Sequence, residues 1–125
     1  MHPISALLCE AYDRLFAGGE VQFPLHEKQR AAIDTTVKTI NASYFGIIRF
    51  PTPEQRAVAY LCYIIKNHPV TDGNKRLAVL WFEVYCEVQG LRPRQHVALD
   101  QLAISIEKAG PSMEELLDSA YQILF

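Results

Sequence analysis

No apolar run in this sequence approaches the roughly 20 residues that a membrane-crossing helix needs. The opening Met1-His2-Pro3 shows no basic stretch followed by an apolar core, so no signal peptide is expected either. Cysteine is scarce: Cys9, Cys62 and Cys86 are an odd number at wide spacing, with no CxxC pair and no neighbouring histidine. That excludes a disulfide framework and gives no support to a zinc site. Each lies in an apolar helical stretch and is expected to be a small buried hydrophobe in a reducing, cytoplasmic setting. A surplus of positive charge is also missing, with 12 Lys and Arg against 14 Asp and Glu, a net charge of −2. Duplex nucleic-acid binders displace counterions with a broad basic surface, so that class is not expected. There is no repeat, linker or low-complexity segment. What is present is 125 residues, 50% of them hydrophobic, enough for one domain over 1–125 with a real core.

Periodicity reads as mostly helix. Ser5 to Ala17 carries Leu7, Leu8, Ala11, Leu15 and Phe16 at helical spacing and ends at Gly18-Gly19. Glu27 to Ile40 places Ala32, Ile33, Val37 and Ile40 on one face. Asn41 to Phe50 loses the helical period; its aromatic and β-branched residues favour a short hairpin or flap, with Gly46 in the turn. Thr52 then reads as an N-cap with Pro53 at the first helical position. Val58, Leu61, Cys62 and Ile65 form that helix's stripe, and Lys66 sits in its last turn, where a cation suits the dipole. His68-Pro69 stops it, because the residue before proline is pushed out of the helical region. A helix from Asn74 to Gln89 follows, with Leu77, Leu80, Trp81, Val84, Tyr85 and Val88 inward and Gly90 ending it. Leu99 to Ala109 is another, stopped by Gly110-Pro111, and Ser112-Met113-Glu114-Glu115 is a capping-box pattern opening the last. The expectation is an all-α domain with a small β excursion.

The run His68-Pro69-Val70-Thr71-Asp72-Gly73-Asn74-Lys75-Arg76 carries the chemistry. The first turn of a helix offers unpaired N–H groups and the positive end of the dipole, a ready anion site. Gly73 lets backbone approach a phosphate without a Cβ in the way. Asn74, Lys75 and Arg76 add donors and charge. Asp72 supplies a hard oxygen for Mg²⁺ that also touches phosphate, and His68 is the side chain best able to take a proton near neutral pH. Together these are what phosphoryl or nucleotidyl transfer to a hydroxyl requires. Read singly, each has a plainer part. His68 would satisfy carbonyls at a helix end, Asp72 would be an N-cap, Lys75 and Arg76 solvated helix residues, Tyr44 and Phe45 packing aromatics. Their concentration favours the chemical reading. His2, His26 and His96 lack useful partners and read as surface residues; Trp81 and Tyr85 read as core.

The run resembles the signature of Fic/Doc proteins, His-x-Phe-x-Asp/Glu-Gly/Ala-Asn-Lys/Gly-Arg, at His68, Asp72, Gly73, Asn74, Lys75 and Arg76. Tyr44-Phe45-Gly46, Phe50-Pro51-Thr52-Pro53-Glu54 and Tyr63-Ile64-Ile65-Lys66-Asn67 resemble the stretch leading into that motif in death-on-curing relatives. The resemblance implies a helical domain with a β-hairpin flap near residues 41–50. It implies that His68 removes a proton from a target hydroxyl, that Asp72 holds Mg²⁺, and that Gly73, Asn74, Lys75 and Arg76 bind the phosphates of a nucleoside triphosphate, ATP first among them. The flap, with Tyr44, Phe45 and Gly46, would align a protein substrate by strand addition.

The sequence departs from the family pattern at Val70, where Phe is usual. Lys75 and Val79 stand where AMP-transferring members have glycine and a second arginine, as in the Doc branch, which transfers phosphate. Gly73 is the AMP-transferase choice. The transferred group therefore stays open, and so does the oligomeric state. A catalytically silent binding domain and a nucleotide or phosphate hydrolase remain as alternatives. Many Fic relatives carry an inhibitory Ser/Thr-x-x-x-Glu-Gly/Asn pattern; none occurs here, and at Ser112 the required spacing falls on Leu116. The chain begins and ends close to the catalytic helices, so restraint of a toxin is expected from a separate antitoxin.

Overall fold

The computed structural model describes residues 1–110 and 112–125. Pro111, expected to help stop the fifth helix, lies outside the described residues. The order is α1 (Pro3–Ala17), α2 (Glu27–Ile40), β1 (Ser43–Tyr44), β2 (Ile47–Ile48), α3 (Pro53–Asn67), α4 (Asn74–Gln89), α5 (Leu99–Lys108) and α6 (Met113–Leu124). The mostly helical class and the small hairpin are as the sequence implied.

α3 is the axis. Every residue from Ala57 to Ile65 is buried, because α2, α4, α5 and α6 all pack around it. A helix covered on all sides needs more than one apolar stripe, and the run Ala-Val-Ala-Tyr-Leu-Cys-Tyr-Ile-Ile supplies it. Thr52 caps its start, its hydroxyl accepting from the Gln55 N–H while Gln55 Oε1 accepts from the Thr52 N–H. Cys9, Cys62 and Cys86 are all buried and unbridged. Burial pushes the Cys62 thiol up to about 12 and Cys86 to about 11, so both are inert small hydrophobes at neutral pH.

α4 corrects the expected stripe. Its buried residues are Asn74, Leu77, Ala78, Trp81, Phe82, Tyr85 and Cys86, whereas Val84 and Val88 are 37% and 75% exposed. The face toward α3 is set by the small Ala78 and Cys86 beside the large rings, so the stripe is turned by about one residue from an all-large apolar reading.

His2 is likewise more than a surface residue. Its Nδ1 accepts from the Ile4 N–H at 3.1 Å and caps α1, which begins at Pro3. Asp34 on α2 completes the clamp, accepting from the Ser5 hydroxyl at 2.7 Å and the His2 N–H at 3.0 Å. The Ser5 bond first, then His2 and Lys38, hold its carboxyl well below the usual carboxylate range.

The hairpin pairs Ser43 with Ile48 and Tyr44 with Ile47. Phe45 and Gly46 both have positive φ, 53° and 79°, the signature of a type I′ turn. Its stem is anchored: Asn41 Nδ2 donates to the buried Tyr60 hydroxyl at 2.8 Å, and the Arg49 guanidinium lies over the Phe50 and Tyr63 rings. Its tip is not. Tyr44, Phe45, Ile47 and Ile48 are all exposed, Phe45 fully.

Candidate active site

Proline at 69 disfavours the α conformation at His68, and the chain leaves α3 through a left-handed His68, φ 48° and ψ 57°. The loop re-enters helix through Gly73, also left-handed at φ 83°. Gly73 is required for two reasons at once. An added Cβ would be strained at that φ and would collide with Val21 Cγ1. The space a Cβ would take is therefore filled by Val21, a reason for this glycine that the sequence did not show. Gly73→Ala is expected to cost about 2–4 kcal/mol, from left-handed strain plus overpacking. The same change is expected to cost less in a Val21→Ala background. Denaturant unfolding of the four proteins checks this; an unchanged midpoint in Gly73→Ala refutes it.

Asn74 is 7% exposed and holds the loop together. Its Oδ1 accepts from the Val70 N–H at 3.1 Å and its Nδ2 donates to the Val70 carbonyl at 2.8 Å, while Nδ2 also meets His68 Nδ1 at 3.3 Å. The side-chain amide is thus engaged within the loop. The first intrahelical bond of α4 runs from the Leu77 N–H to the Gly73 carbonyl, leaving the first-turn N–H groups without helical partners. An amide nitrogen cannot accept, so it is His68 Nδ1 that accepts in this long contact. Val70 itself is 4% exposed, so the smaller residue still anchors the loop inward.

Asp72 does not cap α4, whose N-cap is Gly73. Its Oδ2 accepts from the Gln22 N–H at 3.1 Å. Arg76 donates to the Glu20 carbonyl at 3.0 Å, with the Glu20 carboxylate 4.0 Å away. The loop between α1 and α2 therefore crosses the start of α4, three successive residues each touching one of the run. Lys75 lines the cleft, where its Nζ pairs with Glu107 Oε2 of α5 at 2.9 Å. That pair, above all the hydrogen bond from Lys75, lowers the Glu107 carboxyl from its ordinary value. Lys66 sits in the last turn of α3 as expected and also serves the end of α5, donating to the Glu107 and Ala109 carbonyls at 3.2 and 2.7 Å. Gln29 Nε2 donates to the Thr71 hydroxyl at 2.6 Å from α2.

These residues open onto one cleft of about 770 Å³, which brings together His68, Asp72, Gly73, Asn74, Lys75 and Arg76. It continues as a trough between two helix faces of the same spacing, Arg76, Val79, Leu80 and Glu83 on α4 and Asp100, Ala103, Ile104 and Glu107 on α5. From 76 to 83 this is about 10 Å of helix. Tyr44, Phe45 and Gly46 do not line it. Among the described residues no group of three or more His, Cys, Asp or Glu side chains is placed to hold a metal. Asp72, with one carboxylate oxygen already bonded, fits a Mg²⁺ that arrives with phosphate oxygens and keeps its waters; it does not fit a closed protein cage. Glu20, Val21, Gln22, Gln29 and Glu107 all shape the site, and the sequence pattern pointed to none of them. No helix among the described residues is long and apolar enough to cross a membrane.

A family model described as Fic/DOC family matches residues 4–86. The match runs from α1 into the last part of α4 and leaves α5 and α6 outside it. No curated protein and no solved structure is significantly similar to the chain.

Proposed function

The chain belongs to the Fic/DOC family, and from that membership we propose that it transfers phosphate or AMP from a nucleoside triphosphate to a hydroxyl of a target protein. The observation that carries the reading is the convergence of His68, Asp72, the α4 N-terminus and Arg76 on one cleft. In this reading the first-turn N–H groups of α4, with Lys75 and Arg76, take the phosphates. Val79, Leu80 and Ile104 offer the trough an apolar floor for a nucleoside. Asp72 would hold Mg²⁺, which when bound neutralises charge on the phosphates. His68 accepts the proton as the target oxygen bonds to phosphorus. The P–O bond to the leaving group breaks in the same step, releasing a nucleoside diphosphate if phosphate moves or pyrophosphate if AMP moves.

The exposed apolar hairpin supports a protein acceptor over water, and so transfer over hydrolysis, because paired strand edges and a bare aromatic tip suit docking by strand addition. The buried Val70, whose N–H and carbonyl are both bonded to the Asn74 amide, supports an ordered loop despite the missing phenyl ring. We further propose that the protein acts in the cytoplasm as a toxin restrained by a separate small antitoxin. The test is incubation with cell extract and ATP labelled at the α or the γ position. Label on a protein from either position is the expected result, and its position names the group moved. Release of free phosphate with no labelled protein refutes the reading in favour of a hydrolase, and no turnover at all favours a silent domain.

A further inference from the structure

We propose that Glu107, on α5 and outside the stretch the family model matches, is a positioning residue of this site that aims Lys75 into the cleft. The proposal rests on the transfer reading above. Two lysines flank the catalytic loop, Lys66 at the end of α3 and Lys75 at the start of α4, and both end on residue 107. Lys75 Nζ meets the Glu107 carboxylate at 2.9 Å and Lys66 Nζ meets its carbonyl at 3.2 Å. The loop holding His68 and Asp72 is therefore tied to α5 from both sides.

The two contacts differ in kind. Lys66 is bonded to backbone, where it satisfies the last carbonyls of α5, and no substitution at 107 removes it. The Lys75–Glu107 pair is side chain to side chain, 40% and 34% exposed. Pairs this open to water add little to fold stability, so stability does not explain it. What it does change is Lys75. A four-carbon stem with three donors samples many positions when free. Held by one hydrogen bond to Glu107, which lines the same cleft, the ammonium keeps two donors for a phosphate oxygen. Solvent screens the repulsion between Glu107 and that phosphate, whereas freeing the stem spreads the ammonium over more positions. Positioning therefore outweighs competition.

Glu107→Gln removes the charge and leaves the Lys66 contacts in place. It is expected to weaken Mg-ATP binding about twofold and lower kcat about twofold, within what an exposed pair can supply, since misplacing a binding group lowers the rate as well as affinity. The melting temperature should stay within about 2 °C. Glu107→Asp, which keeps the charge on a shorter stem, should recover part of both losses. Because Glu107 acts through Lys75, both effects should vanish in a Lys75→Ala background. Equal losses with and without Lys75, or no loss in the wild-type background, overturn the proposal. A wild type that binds Mg-ATP with this coupling and yet labels no protein refutes the transfer reading and leaves the placement of Glu107 standing. A wild type that does not bind Mg-ATP overturns both.

Discussion

Replacing His68 with alanine is expected to lower transfer by about 10²–10⁴-fold, the range a positioned general base contributes. The fold should survive. His68 is exposed, and its one side-chain hydrogen bond is the 3.3 Å contact with Asn74. Val70, whose peptide that amide also holds at 3.1 and 2.8 Å, keeps both of its bonds in the variant. A left-handed alanine carries a strain of about 1–2 kcal/mol, so His68→Asn is the cleaner companion, because asparagine tolerates that conformation and offers no basic nitrogen. Both variants should be inactive and folded by circular dichroism. In cells, expression of the wild type should arrest growth and His68→Ala should relieve it. Near-normal transfer by either folded variant removes His68 from the base role. Harmless expression of a wild type that is fully active in vitro removes the toxin role.

Asp72→Asn should lower transfer by about 10²–10³-fold, because the metal's contribution to charge neutralisation is worth several kcal/mol. Chelation of divalent cations should do the same to the wild type. Stability should change little. The one bond Asp72 makes is acceptance from the Gln22 N–H, which the asparagine carbonyl oxygen can replace, and α4 is capped by Gly73 and not by residue 72. An Asp72→Asn protein that unfolds, alongside wild-type transfer that persists in chelator, would make Asp72 a strut for the α1–α2 loop and nothing more.

Lys75 and Gly73 show how a residue singled out in the sequence can have partners that the sequence does not reveal. The run from His68 to Arg76 marked both, and both do line the cleft. Yet Lys75 is directed by Glu107, and Gly73 answers to Val21 as well as to backbone conformation. Asn74 reads as a phosphate donor in the family pattern, while here its amide braces Val70 and His68. In each case the residue was legible and its partner was not.

Local physics explains what the sequence alone determined. Helices announce themselves through apolar spacing and caps within a few residues, hence α3 beginning at Thr52-Pro53 and α6 at Ser112. Proline at 69 and glycine at 73 act on their own backbone, so the break between α3 and α4 was determined by nine residues, and so was the presence of a histidine, a carboxylate and a helix N-terminus in one short run. The hairpin followed from the lost helical period between 41 and 50. Only the tertiary structure decided which distant groups meet that run: Glu20 at Arg76, Gln22 at Asp72, Gln29 at Thr71 and Glu107 at Lys75, pairs separated by 56, 50, 42 and 32 residues. No periodicity spans such distances. Those contacts exist because α3, buried along nine successive residues, gathers α2, α4, α5 and α6 around itself, and that packing brings the α1–α2 loop and the end of α5 to the two sides of the site.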